Sequence, residues 1–280
     1  MIRYAYPAIG DMLLDDIKVA HVRRALDAAK KVPGLARRLR MQIASVLDDA
    51  TEKGLRDEDA YNPADARRHR SLRRRAVAIE HFRRIDLDDA PATFRKMREL
   101  AADSTAVAAW AFMIASASRP SEALKARWSE VNFDKVLWTV PSARMKSGRE
   151  HVVPLSALAI AALERQASVR TGDAIFPGRS GSPLSYDAFA HAPEKAGINA
   201  GTPHSWRSVF RDACGDRLRV NGQRVERDLA EHALAHAVGG TEGSYRRETA
   251  IEARRPVMEA YANWLLGTGA NVIAFPARAR

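Results

Sequence analysis

One segment of this chain, KVLWTVPSARMKSGREHVVPLS at residues 135–156, carries the clearest strand pattern in the sequence. Two runs rich in valine and leucine flank a polar turn at Ser147 and Gly148, which is typical of a β-hairpin. Apolar residues spaced three and four apart, typical of helices, occupy most of the remaining chain. The predicted helices cover residues 11–56, 87–118, 156–169, 185–197, 203–219, 224–237 and 250–266, with Gly54 ending the second of the two helices in 11–56. We therefore expect a mainly α fold with a small β-sheet.

The excess positive charge of the chain is concentrated near its start. Lysine and arginine number 45 against 34 aspartate and glutamate, a formal net charge of +11. Residues 1–85 hold 19 basic and 12 acidic residues, and RRHRSLRRR at 67–75 packs six arginines into nine residues. We expect a small basic helical domain over 1–85, with a basic linker from about residue 66, and a larger domain over 86–280. Such a charge balance favours a polyanion partner, although a solvated charged surface would also produce it.

Composition excludes several other classes of protein. Apolar residues make up 46% of the chain, enough for a sizeable core. The single cysteine, Cys214, excludes an intramolecular disulfide and fits a reducing compartment. The N-terminus lacks the apolar stretch of a signal peptide, and no window is long and apolar enough for a membrane span. We expect a cytoplasmic, nucleoid-associated protein that does not bind membranes.

Two polar clusters lie in the first half of the larger domain. In SRPSEALKARW, Arg119 follows an apolar helix and Glu122 lies three residues on, so the carboxylate can orient the guanidinium. A structural salt bridge is the simpler interpretation of that pair. Lys146 lies in the hairpin turn between Arg144 and Arg149, where a lysine is usually only solvated.

Two further clusters follow the hairpin. In TPHSWRSVFRD, His204 and Arg207 lie three apart on one face of a helix, close to its anion-favouring N-terminus. In EHALAHAVGGTEGSYRRE, His236 lies nine residues before Tyr245, which is either a packing residue or a nucleophile. Each cluster alone is a weak signal, so their order along the chain carries more information than any one of them.

No metal site is predicted, although His232 and His236 have the i, i+4 spacing of zinc ligands on a helix. Ala233 occupies the place of the glutamate in an H-E-x-x-H motif, and no cysteine lies nearby. His232 is better interpreted as an ordinary helix-surface or core histidine.

In this order the clusters resemble the tyrosine recombinases, the phage integrase family, in its branch of prophage and genomic-island integrases. SRPSEALKARWSEV is similar to the first arginine motif of that family, and VPSARMKSGREHVVPLS to its β-hairpin lysine motif. HSWRSVFRD resembles the H-x-x-R box, LAHAVGGTEGSYRR the histidine–tyrosine box, and EARRPVMEAYANWL the helix after the tyrosine. The resemblance implies a helical core-binding domain and an α+β catalytic domain, arranged as a clamp around DNA.

The resemblance also implies a catalytic set, namely Arg119, Lys146, His204, Arg207, His236 and the nucleophile Tyr245. Tyr245 would attack the scissile phosphate and form a 3′-phosphotyrosyl intermediate, while Lys146 would protonate the departing 5′ oxygen. A phenol has a pKa of about 10, so it needs a base and nearby positive charge to act at neutral pH. No cofactor is expected, because the covalent ester conserves the energy of the cleaved bond.

The other members of the set would act on the phosphate. Arg119 and Arg207 would hold the non-bridging oxygens, a task suited to a planar guanidinium. His204 would assist proton transfer, His236 would donate a hydrogen bond to the phosphate, and Glu122 would orient Arg119. We expect Gly239 and Gly240 to end the helix that bears His236. Ala235 stands where many relatives have glycine, which we interpret as a small-for-small change.

The implied partner is double-stranded DNA at an attachment site, bound by a homo-tetramer, with accessory DNA-bending or directionality proteins. The tail NVIAFPARAR either frays or packs on a neighbouring protomer. Two other functions fit the same residues: a non-catalytic DNA-binding protein derived from an integrase, and type IB topoisomerase-like strand cleavage. The predicted DNA-backbone contacts are Arg67, Arg68, Arg70, Arg73, Arg74, Arg75, Arg144 and Arg149.

Overall fold

The computed structural model describes residues 3–30, 34–67, 84–178, 181–182, 184–236, 247–269 and 271–272. The chain divides into two compact units, Met1–His81 and Phe82–Arg280. Helices dominate both units, and the strands of the described residues lie in the second. The predicted mainly α fold with a small sheet is thus confirmed. None of the described helices combines the length and the apolarity that crossing a membrane requires.

The first unit is a small helical bundle. It contains α1 (Tyr6–Ile9), α2 (Val19–Ala28) and α3 (Leu35–Glu52). Its core is built at helical spacing from α2 and α3, whose buried side chains include Val22, Leu39, Ile43 and Leu47. Gly54 ends α3 as predicted: it has a φ of 65°, and the next residue donates its N–H to the carbonyl of Ala50 at 2.9 Å.

The second unit is organised around one buried helix. That helix is α5 (Thr105–Ala115); all its residues from Val107 to Ala115 are buried, and the Ser104 hydroxyl caps its N-terminus. A helix that is apolar on all sides must be surrounded by other elements. The helices of this unit are α4 (Ala90–Leu100), α5 (Thr105–Ala115), α6 (Pro120–Leu124), α7 (Ala157–Ala167), α8 (Tyr186–Ala190), α9 (Ala192–Lys195), α10 (Ser205–Asp216), α11 (Arg227–Ala233) and α12 (Arg247–Leu266).

The predicted hairpin is part of a three-stranded antiparallel sheet. Strands β1 (Val131–Asn132), β2 (Leu137–Val140) and β3 (His151–Pro154) lie in the order β1-β2-β3. Val140 is paired with His151, so the link between β2 and β3 covers residues 141–150. This link is longer than the tight turn predicted at Ser147 and Gly148, because a short 3-10 turn at Ser142–Arg144 precedes it.

A second small sheet was not predicted from the sequence. Strands β4 (Arg219–Val220) and β5 (Gln223–Arg224) form a hairpin, and β6 (Asn271–Val272) pairs in parallel with β4. The predicted helices at 203–219 and 224–237 therefore extended too far. Strands of two residues are too short for a period-2 pattern to appear. The described part of the C-terminal tail thus pairs within its own chain.

Helix α12 is attached to the first sheet through polar contacts. Arg255 donates from its guanidinium to the carbonyls of Lys135 at 3.0 Å and Val136 at 3.4 Å, in the turn between β1 and β2. The carboxylate of Glu259 accepts the N–H of Ala157 at 2.9 Å, at the start of α7. These contacts fix α12, the helix that follows the Tyr245 segment in the chain, against the sheet.

Candidate active site

Arg119 is the N-cap residue of α6, directly before the helix, and Glu122 holds it in place. The Nη1 atom of Arg119 donates to Oε1 of Glu122 at 2.8 Å, and the backbone N–H of Arg119 donates to Oε2 at 2.8 Å. The Glu122 side chain is only 2% exposed, whereas that of Arg119 is 20% exposed. Because both carboxylate oxygens bind the same residue, the guanidinium has one preferred direction. The structure therefore brings together the pair that the sequence predicted.

Arg207, in the first turn of α10, is buried beside Arg119. Its Nη1 donates to the carbonyl of Ala117 at 2.7 Å, and its Nη2 donates to the carbonyl of Leu234. The Nη2 atom also lies 3.1 Å from Nε2 of His236. Burial, and then the charge of Arg119, lower the pKa of Arg207 to about 10, so the side chain stays charged at neutral pH.

The C-terminus of α11 faces these arginines. The N–H of Ala235 donates to the carbonyl of His232 at 3.1 Å, and that of His236 donates to Glu231 at 3.0 Å. Ala235 has a φ of 52°, so the chain leaves the helix through a Schellman motif with alanine in the position that glycine usually takes. The helix therefore ends at Ala233, before His236.

This ending corrects one expectation from the sequence. We predicted that Gly239 and Gly240 end the helix bearing His236, but the helix stops earlier and His236 lies beyond it. Both glycines lie outside the described residues. The sequence misled because an alanine in the left-handed conformation carries no local signature, whereas a glycine pair does.

Three carbonyls at this helix end, which we call the carbonyl bracket, are those of Ala233, Leu234 and Ala235. Leu234 accepts from Arg207, and Ala235 accepts from Nη2 of Arg119 at 3.2 Å. The carbonyl of Ala233 lies next to the His151 ring. The last carbonyls of a helix have no partner within it and carry partial negative charge. The carbonyl bracket therefore aligns and partly neutralises the cationic side chains.

The C-terminus of α5 has the same geometry as that of α11. The N–H of Ala117 donates to Ile114 at 3.0 Å and that of Ser118 to Met113 at 3.1 Å, and Ala117 has a φ of 50°. Its carbonyl is the one that accepts from Arg207. Two helix C-termini, each with a left-handed alanine, thus offer carbonyls to the two arginines.

His236 is held by a carboxylate that the sequence did not indicate. Its Nδ1 contacts Oε2 of Glu231 on α11, and its Nε2 faces Arg207. A carboxylate on one ring nitrogen fixes the orientation of the ring. The signal that would have found Glu231 is its position five residues before His236 in EHALAH.

His204 immediately precedes α10 and is exposed. Its pKa is lowered, first by partial burial and then by the charges of Arg207, Arg119 and His236. The imidazole is therefore neutral at pH 7 and able to accept a proton. Two arginines and two histidines, predicted from three separate motifs, meet at one place.

Lys146 is not in contact with this group of side chains. It is exposed in the loop 141–150, and none of the contacts among the described residues joins it to Arg119 or Arg207. Arg149 is exposed in the same loop. Tyr245 lies outside the described residues, and so do Arg68, Arg70, Arg73, Arg74 and Arg75. Arg67 is described and lies beside Asp65 at 3.3 Å.

The structure corrects the prediction for Arg144. We predicted a contact with the DNA backbone, but this side chain is only 17% exposed and pairs with Glu130. Its Nη1 also donates to the carbonyl of Glu122 at 3.3 Å. The guanidinium is thus engaged inside the protein, next to the residue that holds Arg119, and its charge is matched there.

Comparison with known proteins identifies the family. Residues 83–251 match the family described as Phage integrase family, and residues 1–69 match the Phage integrase central domain. The chain belongs to the phage integrase family. The prediction made from the order of the motifs is confirmed.

Two prophage integrases of Escherichia coli K12 are similar over nearly the whole chain. This family member is 29% identical to prophage integrase IntA over 93% of its length, and 32% identical to prophage integrase IntZ over 92%. It spans 62% of the length of each of those two relatives. Its fold is similar to that of lambda integrase in a dimer bound to a core site, with a TM-score of 0.60 at 18% identity over 85% of both chains.

The left-handed alanines predict a stabilising substitution in this integrase-family chain. A left-handed conformation costs a residue with a Cβ about 1–2 kcal/mol, and glycine avoids that cost. Glycine also increases the conformational entropy of the unfolded chain, which lowers stability by roughly 0.4–1 kcal/mol. We expect Ala235→Gly to raise the free energy of unfolding by about 0.5–1 kcal/mol, measured by urea denaturation. The matched control is Ala230→Gly, inside the helix, which should lower stability by about 1 kcal/mol. If Ala235→Gly were less stable than wild type, the left-handed backbone at Ala235 would not be strained.

His151 predicts a second measurable effect, on the pH dependence of stability. Burial and the charges of Arg254, Arg207 and Arg119 lower its pKa from 6.5 to about 3, against the opposing hydrogen bond to Ala233. As the pH falls from 6.5 towards 3, the unfolded chain therefore binds a proton that the folded protein does not. Stability contributed by His151 is complete above pH 6.5 and is lost by at most about 1.4 kcal/mol per pH unit below it.

Urea denaturation of the wild type and of His151→Leu at several pH values between 7 and 4.5 measures this effect. The leucine variant lacks the titrating ring but keeps the carboxylates that destabilise any protein in acid. We expect the difference in unfolding free energy between wild type and variant to shift against the wild type as the pH falls. A difference that does not change with pH would exclude a depressed pKa at His151.

Proposed function

We propose that this chain is a site-specific DNA recombinase that cleaves and rejoins DNA through a 3′-phosphotyrosyl intermediate, and so integrates or excises a mobile element. The observation that carries the proposal is the pair of aligned guanidinium groups of Arg119 and Arg207, with His204 and His236 beside them. Membership of the phage integrase family supports the same function.

The two arginines suit a phosphodiester group. A guanidinium has five N–H donors, and Arg119 uses two of its own on Glu122 and the carbonyl bracket. Donors held in place before the substrate arrives stabilise the charge that develops on the non-bridging oxygens without reorganisation. In this proposal Arg119 and Arg207 form a phosphate clamp, and His236 adds a donor to it.

The proposed cleavage step exchanges one phosphate ester for another. The phenol oxygen of Tyr245 forms a bond to phosphorus, the bond from phosphorus to the 5′ oxygen breaks, and the phenol proton passes to neutral His204. Lys146 gives a proton to the departing 5′ oxygen. Rejoining reverses these transfers with the 5′ hydroxyl of another strand, so no cofactor and no metal are part of the proposal.

The proposed partners are double-stranded attachment sites and further copies of the chain. One structurally similar protein is a lambda integrase tetramer bound to a Holliday junction, with a TM-score of 0.59 at 18% identity over 87% of this chain. By analogy we propose a homo-tetramer on DNA, assisted by accessory DNA-bending or directionality proteins. The first unit would bind the core-type site, and Arg149 with the arginines of RRHRSLRRR would contact the backbone.

A suicide substrate tests this function. A nicked duplex carrying the attachment-site core of the element is incubated with wild type and with Tyr245→Phe. We expect a protein–DNA band that survives a denaturing gel in the wild type and is absent from the variant. Binding without that band would indicate a non-catalytic DNA-binding protein. Relaxation of supercoiled DNA of any sequence by a monomer would instead indicate a topoisomerase-like enzyme.

A further inference from the structure

The loop that carries Lys146 must deliver an amine to one oxygen atom of the bound phosphate. Residues 141–150 connect β2 to β3, and Lys146 itself is exposed. A surface loop of this length has considerable freedom, whereas proton transfer needs donor and acceptor within hydrogen-bond distance. The two places where this loop is attached therefore decide where the amine can reach.

The first attachment is Arg144, two residues before Lys146. Its guanidinium donates to the backbone carbonyl of Glu122 at 3.3 Å, and the carboxylate of Glu122 holds Arg119. Arg144 also pairs with Glu130, whose side chain is only 8% exposed. The indole N–H of Trp138 donates to the same Glu130 oxygen at 3.1 Å, so the anchor itself is fixed. This end of the loop is thus tied to the support of Arg119.

The second attachment is His151, five residues after Lys146 and the first residue of β3. Its ring lies next to the carbonyl of Ala233, and the next carbonyl, that of Leu234, accepts from Arg207. This end of the loop is thus tied to the support of Arg207. Burial, together with the positive charges of Arg254, Arg207 and Arg119, keeps the ring neutral, and a neutral imidazole has one N–H donor that it can offer to Ala233.

We propose that Arg144 and His151 are positioning residues for strand cleavage. Arg144 attaches one end of the Lys146 loop to Glu122, which holds Arg119, and His151 attaches the other end to the carbonyl bracket, which holds Arg207. The proposal rests on the function proposed above, because it requires Lys146 to protonate the leaving oxygen. Neither residue touches the DNA. Each keeps the amine of Lys146 within hydrogen-bond distance of the phosphate that Arg119 and Arg207 would bind.

A substrate with a different leaving group distinguishes the positioning of Lys146 from any other role of Arg144 and His151. When sulfur replaces the bridging 5′ oxygen of the scissile phosphate, the departing thiolate needs no proton. A variant that only misplaces Lys146 is therefore slow on the oxygen substrate and normal on the sulfur substrate. A variant that damages the phosphate clamp or the fold is slow on both substrates.

The variants are His151→Leu, which removes the donor, and Arg144→Met combined with Glu130→Gln, which removes the ion pair without leaving a buried charge. In single-turnover reactions at saturating DNA, we expect each to form the covalent adduct about 10- to 100-fold more slowly than wild type on the oxygen substrate. On the sulfur substrate we expect rates within about 3-fold of wild type. His151→Gln, which keeps a neutral donor, should recover most of the rate on oxygen.

Controls distinguish the outcomes. Lys146→Ala should show the same rescue by sulfur, and a failure to do so would overturn the proposal. Equal defects on both substrates, or a normal rate on the oxygen substrate, would also overturn it. The absence of any adduct from wild type on either substrate would instead contradict the proposed function. His151 lies on the sheet and Arg144 in the loop, so a fault in folding would not affect both variants in the same substrate-dependent way.

Discussion

Replacing Arg207 with lysine will slow formation of the covalent adduct by about 100- to 1,000-fold, while DNA binding stays within about 3-fold of wild type. The side chain donates to the carbonyls of Ala117 and Leu234 at once, and it lies 3.1 Å from Nε2 of His236. A guanidinium can hold both carbonyls and still present donors to a phosphate, whereas an ammonium is a single point charge with three donors. Arg207→Lys keeps the positive charge, but an ammonium cannot make the same set of hydrogen bonds.

The matched control for this prediction is Arg211→Lys, one turn further along α10. The side chain of Arg211 is 50% exposed, so exchanging one cation for another there should change neither binding nor the rate of cleavage. Adduct formation is measured on the suicide substrate at saturating DNA, and binding is measured by titration at fixed salt. A rate for Arg207→Lys within 10-fold of wild type would mean that charge alone suffices, and that the alignment by the carbonyls is irrelevant to the chemistry.

Side-chain patterns predicted much of the fold and the identities of most residues at the site. The buried helix α5, the hairpin β2–β3 and the pair Arg119 and Glu122 follow from apolar spacing, strand signals and the distance between opposite charges. Bringing Arg119 next to Arg207 did not follow from spacing alone. It required the order of the motifs, because residues so far apart in sequence show no periodic relation.

Backbone features account for most of what the sequence could not show. The carbonyl bracket consists of peptide oxygens, which every residue has, so only the three-dimensional path of the chain can give them a role. Ala117 and Ala235 adopt left-handed conformations, which the sequence would have indicated only if these residues were glycines. His151 stands at the start of an apolar strand, where its neighbours indicate packing rather than a position influenced by the charges of Arg254, Arg207 and Arg119.

The negative groups at the site explain how so many cations can be packed together. Arg119 and Arg207 are supported by Glu122, by Glu231 through His236, and by the ends of α5 and α11. Helix C-termini contribute partial charge without occupying the space that a carboxylate would need. The carboxylates of Glu122 and Glu231 therefore offset part of the positive charge that gathers around Arg119 and Arg207.

Replacing Glu122 with glutamine will lower the free energy of unfolding by about 2–4 kcal/mol and will also reduce cleavage. The carboxylate is almost completely buried and binds both the guanidinium and the backbone N–H of Arg119 at 2.8 Å. Glutamine keeps one oxygen but turns an NH2 group towards a donor, and it leaves the charge of Arg119 uncompensated. The matched control is Glu164→Gln, at an exposed position on α7, where we expect a change below about 0.5 kcal/mol.

A double-mutant cycle decides whether this loss comes from the ion pair or from general damage to the core. Arg119→Gln removes the partner charge, so the double variant should be more stable than the sum of the two single effects predicts. We expect a coupling free energy of about 1–3 kcal/mol, measured by urea denaturation at pH 7. Strictly additive losses would show that Glu122 stabilises the fold independently of Arg119.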